Sequence, residues 1–139
     1  MTIDSSALVA ILFAESGYLD LIDRILAADN VRVSAPTLVE TSLVLAGRRR
    51  RAQENVDRSR AVPASGEVEA LVKELQVTVV PFAEPEWRAA VAAIQRYGRG
   101  HHRASLNFGD CLVYAAAAVA GDSLLFVGDD FRATDIPPA

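Results

Sequence analysis

Met1-Thr2-Ile3-Asp4-Ser5-Ser6-Ala7-Leu8-Val9-Ala10-Ile11-Leu12-Phe13 decides the fold of this chain. Thr2-Ile3 reads as the end of a short buried strand. Ser5 or Ser6 then suits the cap of a helix through Ala7 to Phe13, and Gly17 breaks it. The acid at position 4 falls where strand gives way to helix. The far end of the chain repeats the device. Leu124-Leu125-Phe126-Val127 reads as a last strand, Gly128 ends it, and Asp129 and Asp130 follow.

Between these ends the pattern alternates. Leu19, Ile22, Ile25 and Leu26 give the spacing of an amphipathic helix over Tyr18 to Ala28. Val31-Arg32-Val33 is a strand candidate. Pro36 suits the first turn of a helix running to about Gly47, with Arg48 to Arg60 extending it or beginning another. Val62 to Gly66 reads as a break, and Val68, Leu71, Val72 and Leu75 make a helical stripe. The β-branched run Val77-Thr78-Val79-Val80 predicts a strand. Glu84 to Tyr97 predicts a helix with Trp87, Val91 and Ile94 on one face. Asn107 to Ala120 predicts a nearly all-apolar, central one. Strands alternating with helices favour an α/β fold with a mainly parallel central sheet of four or five strands and helices on both faces. The 139 residues are expected to make one domain, 1–139, with a real core.

Composition narrows the function classes. With 51% hydrophobic residues the chain is expected to be globular. Its longest apolar run, Cys111 to Ala120, is too short to span a bilayer, and the first residues lack the basic region of a signal peptide. No membrane association and a cytoplasmic location are expected. The single cysteine, Cys111, excludes an internal disulfide and reads as a small buried hydrophobe. Net charge is −4, from 14 Lys and Arg against 18 Asp and Glu, but its distribution is uneven. Arg48 to Arg51 form a run, with Arg58 and Arg60 close behind. No acid occurs between Glu86 and Asp110, a window holding Arg88, Arg96, Arg99, His101, His102 and Arg103.

Four acids stand at turns or interrupt apolar runs: Asp4, Glu40, Asp110 and one of the pair Asp129/Asp130. Singly, each has a structural explanation, as a helix cap, a helix-start acid or a satisfied polar group. Together they fit a set gathered onto one hard cation, because magnesium and manganese prefer oxygen ligands and leave positions open for phosphate. In a parallel sheet, ligands bind beyond the carboxyl ends of the strands, where Asp4 and Asp129 fall.

Four segments carry a family resemblance: Ile3-Asp4-Ser5-Ser6-Ala7-Leu8-Val9-Ala10, Leu38-Val39-Glu40-Thr41, Leu106-Asn107-Phe108-Gly109-Asp110-Cys111 and Leu124-Leu125-Phe126-Val127-Gly128-Asp129-Asp130-Phe131. In order and spacing the chain resembles PIN-domain ribonucleases, specifically VapC-type toxins of bacterial toxin–antitoxin pairs. The resemblance implies a PIN-like α/β/α sandwich, dependence on Mg²⁺ or Mn²⁺, hydrolysis of RNA, inhibition by a VapB-type antitoxin, and a homodimer. By position, Asp4, Glu40 and Asp110 match the family acids. Many family members carry the fourth acid where this chain has Gly128, so Asp129 or Asp130 substitutes, with Asp129 preferred. Asp4 and Asp110 would hold the cation. Glu40 and Asp129 would be direct or water-mediated ligands, with Glu40 also placed to orient the attacking water. Ser6 is expected to bind a metal-held water or phosphate, and Arg99, His102 and Arg103 to contact RNA. Tyr97 and Phe108 are candidates for base stacking, with core packing the first expectation for Phe108.

Two other readings compete. A haloacid-dehalogenase-type phosphatase would need a second Asp two residues after Asp4, where this chain has Ser6. A non-catalytic PIN-like module that binds RNA or protein without cutting is the main alternative.

Overall fold

The computed structural model describes residues 1–52 and 64–139. Arg58 and Arg60 lie outside them. The elements run β1 (Thr2–Ile3), α1 (Ser5–Leu12), α2 (Tyr18–Ala27), β2 (Arg32–Ser34), α3 (Ala35–Ala52), α4 (Ala64–Glu74), β3 (Thr78–Val80), α5 (Glu84–Tyr97), α6 (Phe108–Ala120) and β4 (Leu124–Leu125). Among the described residues the four strands are all parallel, in the order β3-β2-β1-β4. The chain therefore leaves β1 toward one edge and returns on the other side as β4. The carboxyl ends of β1 and β4 flank the switch point, where open α/β sheets bind ligands.

The sheet separates two apolar cores. Ile3, Val33, Val77 and Leu125 pack with α1 and α2 residues such as Leu8, Leu21 and Ile25. Leu124 points the other way, into a cluster from α5, α6 and the C-terminal segment that includes Ala93, Tyr97, Val113, Phe131 and Ile136. Adjacent residues of one strand face opposite cores, as the pleat requires. Beyond β4 the chain turns back: Leu124 donates to Pro137 and accepts from Ala139, so the prolines cover the sheet edge.

Several local expectations change. Asp4, not Ser5 or Ser6, caps α1, its carboxylate accepting the Ser6 N–H. Gly17 lies beyond the end of α1 and opens α2 in a left-handed conformation (φ +86°). The helix begun at Ala35 runs to Ala52, so the arginine run extends it, one of the two expected courses, and Gly47 alone does not stop it. Residues 64–66, read as part of a break, begin α4. The Trp87, Val91 and Ile94 stripe of α5 faces solvent; Ala90, Ala93 and Tyr97 make its buried face. Cys111 is fully buried, as expected.

Candidate active site

Asp4 follows β1 directly and is 6% exposed. Its Oδ2 accepts hydrogen bonds from the Ser6 N–H (2.9 Å) and the Ser6 hydroxyl (2.5 Å). The Ser6 hydroxyl oxygen in turn accepts from the N–H of Val127 (2.9 Å), just past β4. One serine thus ties the turn after β1 to the turn after β4. Burial pushes the Asp4 carboxyl above its ordinary pKa; the Ser6 bonds oppose this and the Glu40 charge adds to it.

Asp110 is the third residue of α6, in a reciprocal cap. Its N–H donates to Asn107 Oδ1 (3.0 Å), and its Oδ2 accepts from the Asn107 N–H (2.7 Å). Partial burial raises its pKa. The Asn107 bond opposes that, the charges of Asp130 and Asp4 add to it, and Arg99 opposes it. Glu40, on α3, lies over Gly109. A β-carbon at Gly109 would stand 2.5 Å from Glu40 Oε1, so the missing side chain is what admits the carboxylate.

The structure separates Asp129 from Asp130. Asp129 is fully on the surface and pairs with Arg132 (2.9 Å). Asp130 acts electrostatically on Asp110. Gly128 sets the two apart through a left-handed turn (φ +108°). The segment after Asp130 is anchored: Phe131 is buried, the Tyr114 hydroxyl donates to Asp135 Oδ1 (2.7 Å), and Arg96 reaches Asp135 Oδ2 (2.8 Å).

Among the described residues, none of Asp4, Glu40, Asp110 and Asp130 is ion-paired, and no group of three or more Asp, Glu, His or Cys side chains is arranged to hold a metal ion. The donor chemistry nevertheless fits a hard divalent cation. Every candidate ligand atom is a carboxylate oxygen, two of the acids hold protons more tightly than usual, and both Asp4 bonds fall on Oδ2 alone.

The basic loop is partly committed to structure. His101 bonds the Gln95 carbonyl (2.8 Å), and His102 Nδ1 accepts from the Ala104 N–H (3.1 Å) with its ring edge-on to Tyr97. Arg99 lies close enough to Asp110 to influence its charge, while Arg103 is exposed. Arg48 and Arg49 of the arginine run pair with Glu15 and Glu67. The two aromatic expectations reverse. Tyr97 is 3% exposed and unavailable to bases, whereas Phe108 is 71% exposed. As the first residue of α6, Phe108 precedes the face that enters the core.

The family model for the PIN domain matches residues 1–137. The chain belongs to the PIN-domain family. Within it the chain groups with the VapC ribonucleases: it is 39% identical over 137 residues to ribonuclease VapC of Mycolicibacterium smegmatis, covering 98% of this chain and 97% of that protein. It is 36% identical to ribonuclease VapC36 of Mycobacterium tuberculosis, covering 98% and 91%. Among solved structures, the fold of this PIN domain matches the sarcin–ricin-loop-cleaving toxin VapC20 of Mycobacterium tuberculosis at TM-score 0.71, with 18% identity over 99% of this chain and 97% of that one. It also matches a chain of the Rickettsia felis VapBC2 complex bound to promoter DNA, at TM-score 0.70 and 10% identity, covering 99% and 96%.

Proposed function

We propose that this VapC-type PIN domain is the toxin of a toxin–antitoxin pair and cuts RNA by hydrolysing phosphodiester bonds with the help of Mg²⁺ or Mn²⁺. The observation that carries the reading is the electrostatic chain Glu40–Asp4–Asp110–Asp130. These acids come from four parts of the sequence, influence one another in sequence along that chain, and have no ion-pair partner among the described residues. Mutual repulsion of this kind costs stability unless a cation is meant to enter.

Asp4 and Asp110 would hold the ion, with Glu40 and Asp130 as further direct or water-mediated ligands; Asp130 replaces Asp129 in that role. When bound, such an ion acidifies water and offsets charge on the phosphoryl oxygens. Ser6 fixes the Asp4 carboxylate and the Val127 turn, a positioning role in place of the substrate contact expected for it. Glu40 would orient the attacking water and take its proton on a carboxylate oxygen. Arg99, beside Asp110, is suited to a flanking phosphate, and His102 Nε2 and Arg103 lie on the same loop.

The names of the relatives and of the VapBC2 complex support a VapB-type antitoxin as partner. Homodimerisation rests on the family resemblance. Among the described residues no helix is long and apolar enough to cross a membrane.

The test is cleavage of a labelled structured RNA by the purified, antitoxin-free protein with Mg²⁺ or Mn²⁺, with EDTA, and with Asp4→Asn alongside. Metal-dependent cutting lost in the variant upholds the proposal. Intact wild type that binds RNA but never cuts it, across substrates and metals, would instead identify a binding module.

A further inference from the structure

Glu40 borders a hollow that metal-assisted hydrolysis does not use. It has a volume of about 620 Å³, within the range of small-ligand pockets, and lies between α3, α6 and the segment after β3. Pro36, Leu43, Phe82, Phe108 and Leu112 make apolar walls, and among the described residues Glu40 alone of the lining side chains is charged. Phe108 stands at 71% exposure in the first turn of α6. A large apolar ring held in solvent on a rigid element loses free energy that a planar partner would return.

We infer that this hollow is a subsite for one unpaired nucleobase of the RNA, stacked on Phe108, beside the bond that is cut. The inference rests on the ribonuclease reading above. Three observations select a base as the occupant. The hollow is continuous with the acids, since Glu40 and Gly109 line it and Asp110 is the next residue. Among the described residues no Lys or Arg lines it, so it suits the uncharged heterocycle and not the backbone phosphate. The cation Arg99 lies by Asp110, so a strand could place a base in the hollow, its phosphate at the acids and the neighbouring phosphate at Arg99. Unpaired bases are commonly read by stacking on aromatic side chains. A second hollow of about 700 Å³, across the Val39 and Leu43 ridge, touches none of the four acids and carries Glu69 and Lys73. Contact with Glu40, and with Gly109 next to Asp110, singles out the Phe108 hollow.

The experiment uses single-stranded RNA with one 2-aminopurine moved along its length, bound in Mg²⁺ to full-length Asp4→Asn protein to prevent cutting. Quenching is expected at one position adjacent to the cut site. Phe108→Ala in that background should weaken binding about tenfold, in line with the usual effect of removing one base–aromatic stack, and Phe108→Trp should restore it. Removing the base at the quenched position should give the same loss, and the two losses should not add. Undiminished binding by Phe108→Ala, or equal loss on the abasic RNA as on the intact one, would overturn the subsite. So would sedimentation showing that Phe108→Ala splits a dimer, which makes the hollow a contact between copies of the chain. Failure of the ribonuclease reading is seen separately, in a wild-type protein that cuts no RNA.

Discussion

The Tyr114 hydroxyl donates a 2.7 Å hydrogen bond to Asp135, one turn of α6 beyond Asp110 and five residues beyond Asp130. One helix thus presents an acid to the site and, on the same face, the anchor for the segment that brings another. The Tyr114 bond, ahead of the weaker help of Tyr97 and Arg96, lowers the Asp135 carboxyl below its ordinary pKa, while burial pushes the Tyr114 hydroxyl up and keeps it a donor. A carboxyl lowered on folding contributes stability that is present above its unfolded pKa of about 3.9 and is lost as pH falls through the folded value. Tyr114→Phe should cost about 1 kcal/mol in urea unfolding at pH 7 and flatten the stability loss below about pH 4. An unchanged acid limb would show that the bond is absent in solution.

Ser6 is expected to matter through placement. Ser6→Ala removes both the bond to Asp4 and the tie to Val127, so activity should fall between about tenfold and a hundredfold with little change in fold. Steady-state kinetics should show the loss in kcat more than in KM. A rise confined to KM would point to direct substrate contact.

Asp4→Asn keeps a good helix cap, because Asn and Asp serve equally there. It removes a buried charge whose pKa burial has raised; a carboxyl raised on folding disfavours the fold above that pKa and ceases to do so as pH falls. In EDTA at pH 7 the variant should therefore melt at or above the wild-type temperature, and Mn²⁺ should raise its Tm less than it raises the wild type's. A variant that melts well below wild type in EDTA contradicts this account.

Asp129 and Asp130 separate cleanly by substitution. Asp130→Asn should lower cleavage by at least about a hundredfold, the order seen when a preorganised charged group is lost. Asp129→Asn breaks only an exposed pair with Arg132 and should stay within about twofold. The reverse ranking in RNA cleavage assays would return the fourth role to Asp129.

Gly109→Ala puts a methyl group where the Glu40 carboxylate lies. The carboxylate is the far end of a flexible chain and can swing aside, so thermal stability should change little while cleavage drops about tenfold or more. A large fall in Tm with normal activity per folded molecule would locate the strain in the backbone.

The parts of this molecule that were legible in the sequence are those set by local chemistry. A strand ending in an acid, seen at Asp4 and again after Leu125, specified the switch-point edge of a parallel sheet. Asp110 marked the start of α6 because it is a cap partner as well as a candidate site acid. What escaped depended on direction. Periodicity put Trp87, Val91 and Ile94 on one face, but the face that packs on α6 is the small one, Ala90 and Ala93, which lets two helices approach closely. Asp129 and Asp130 are neighbours of equal chemistry, and the turn at Gly128 leaves Asp129 paired with Arg132 and Asp130 near enough to Asp110 to act on its charge. Phe108 looked like core because it adjoins an apolar run, yet a first helical residue need not share the buried face.

Because β1 pairs with β4, the second and third residues of the chain find their neighbours at Leu124 and Leu125. During synthesis Asp4 is made well before the turn after β4 that braces it through Ser6. A ribosome that stalls before that point releases a fragment holding Asp4, Glu40 and even Asp110, but without the brace that Ser6 forms to the Val127 turn. Such wiring makes the geometry around Asp4 depend on residues far along the chain.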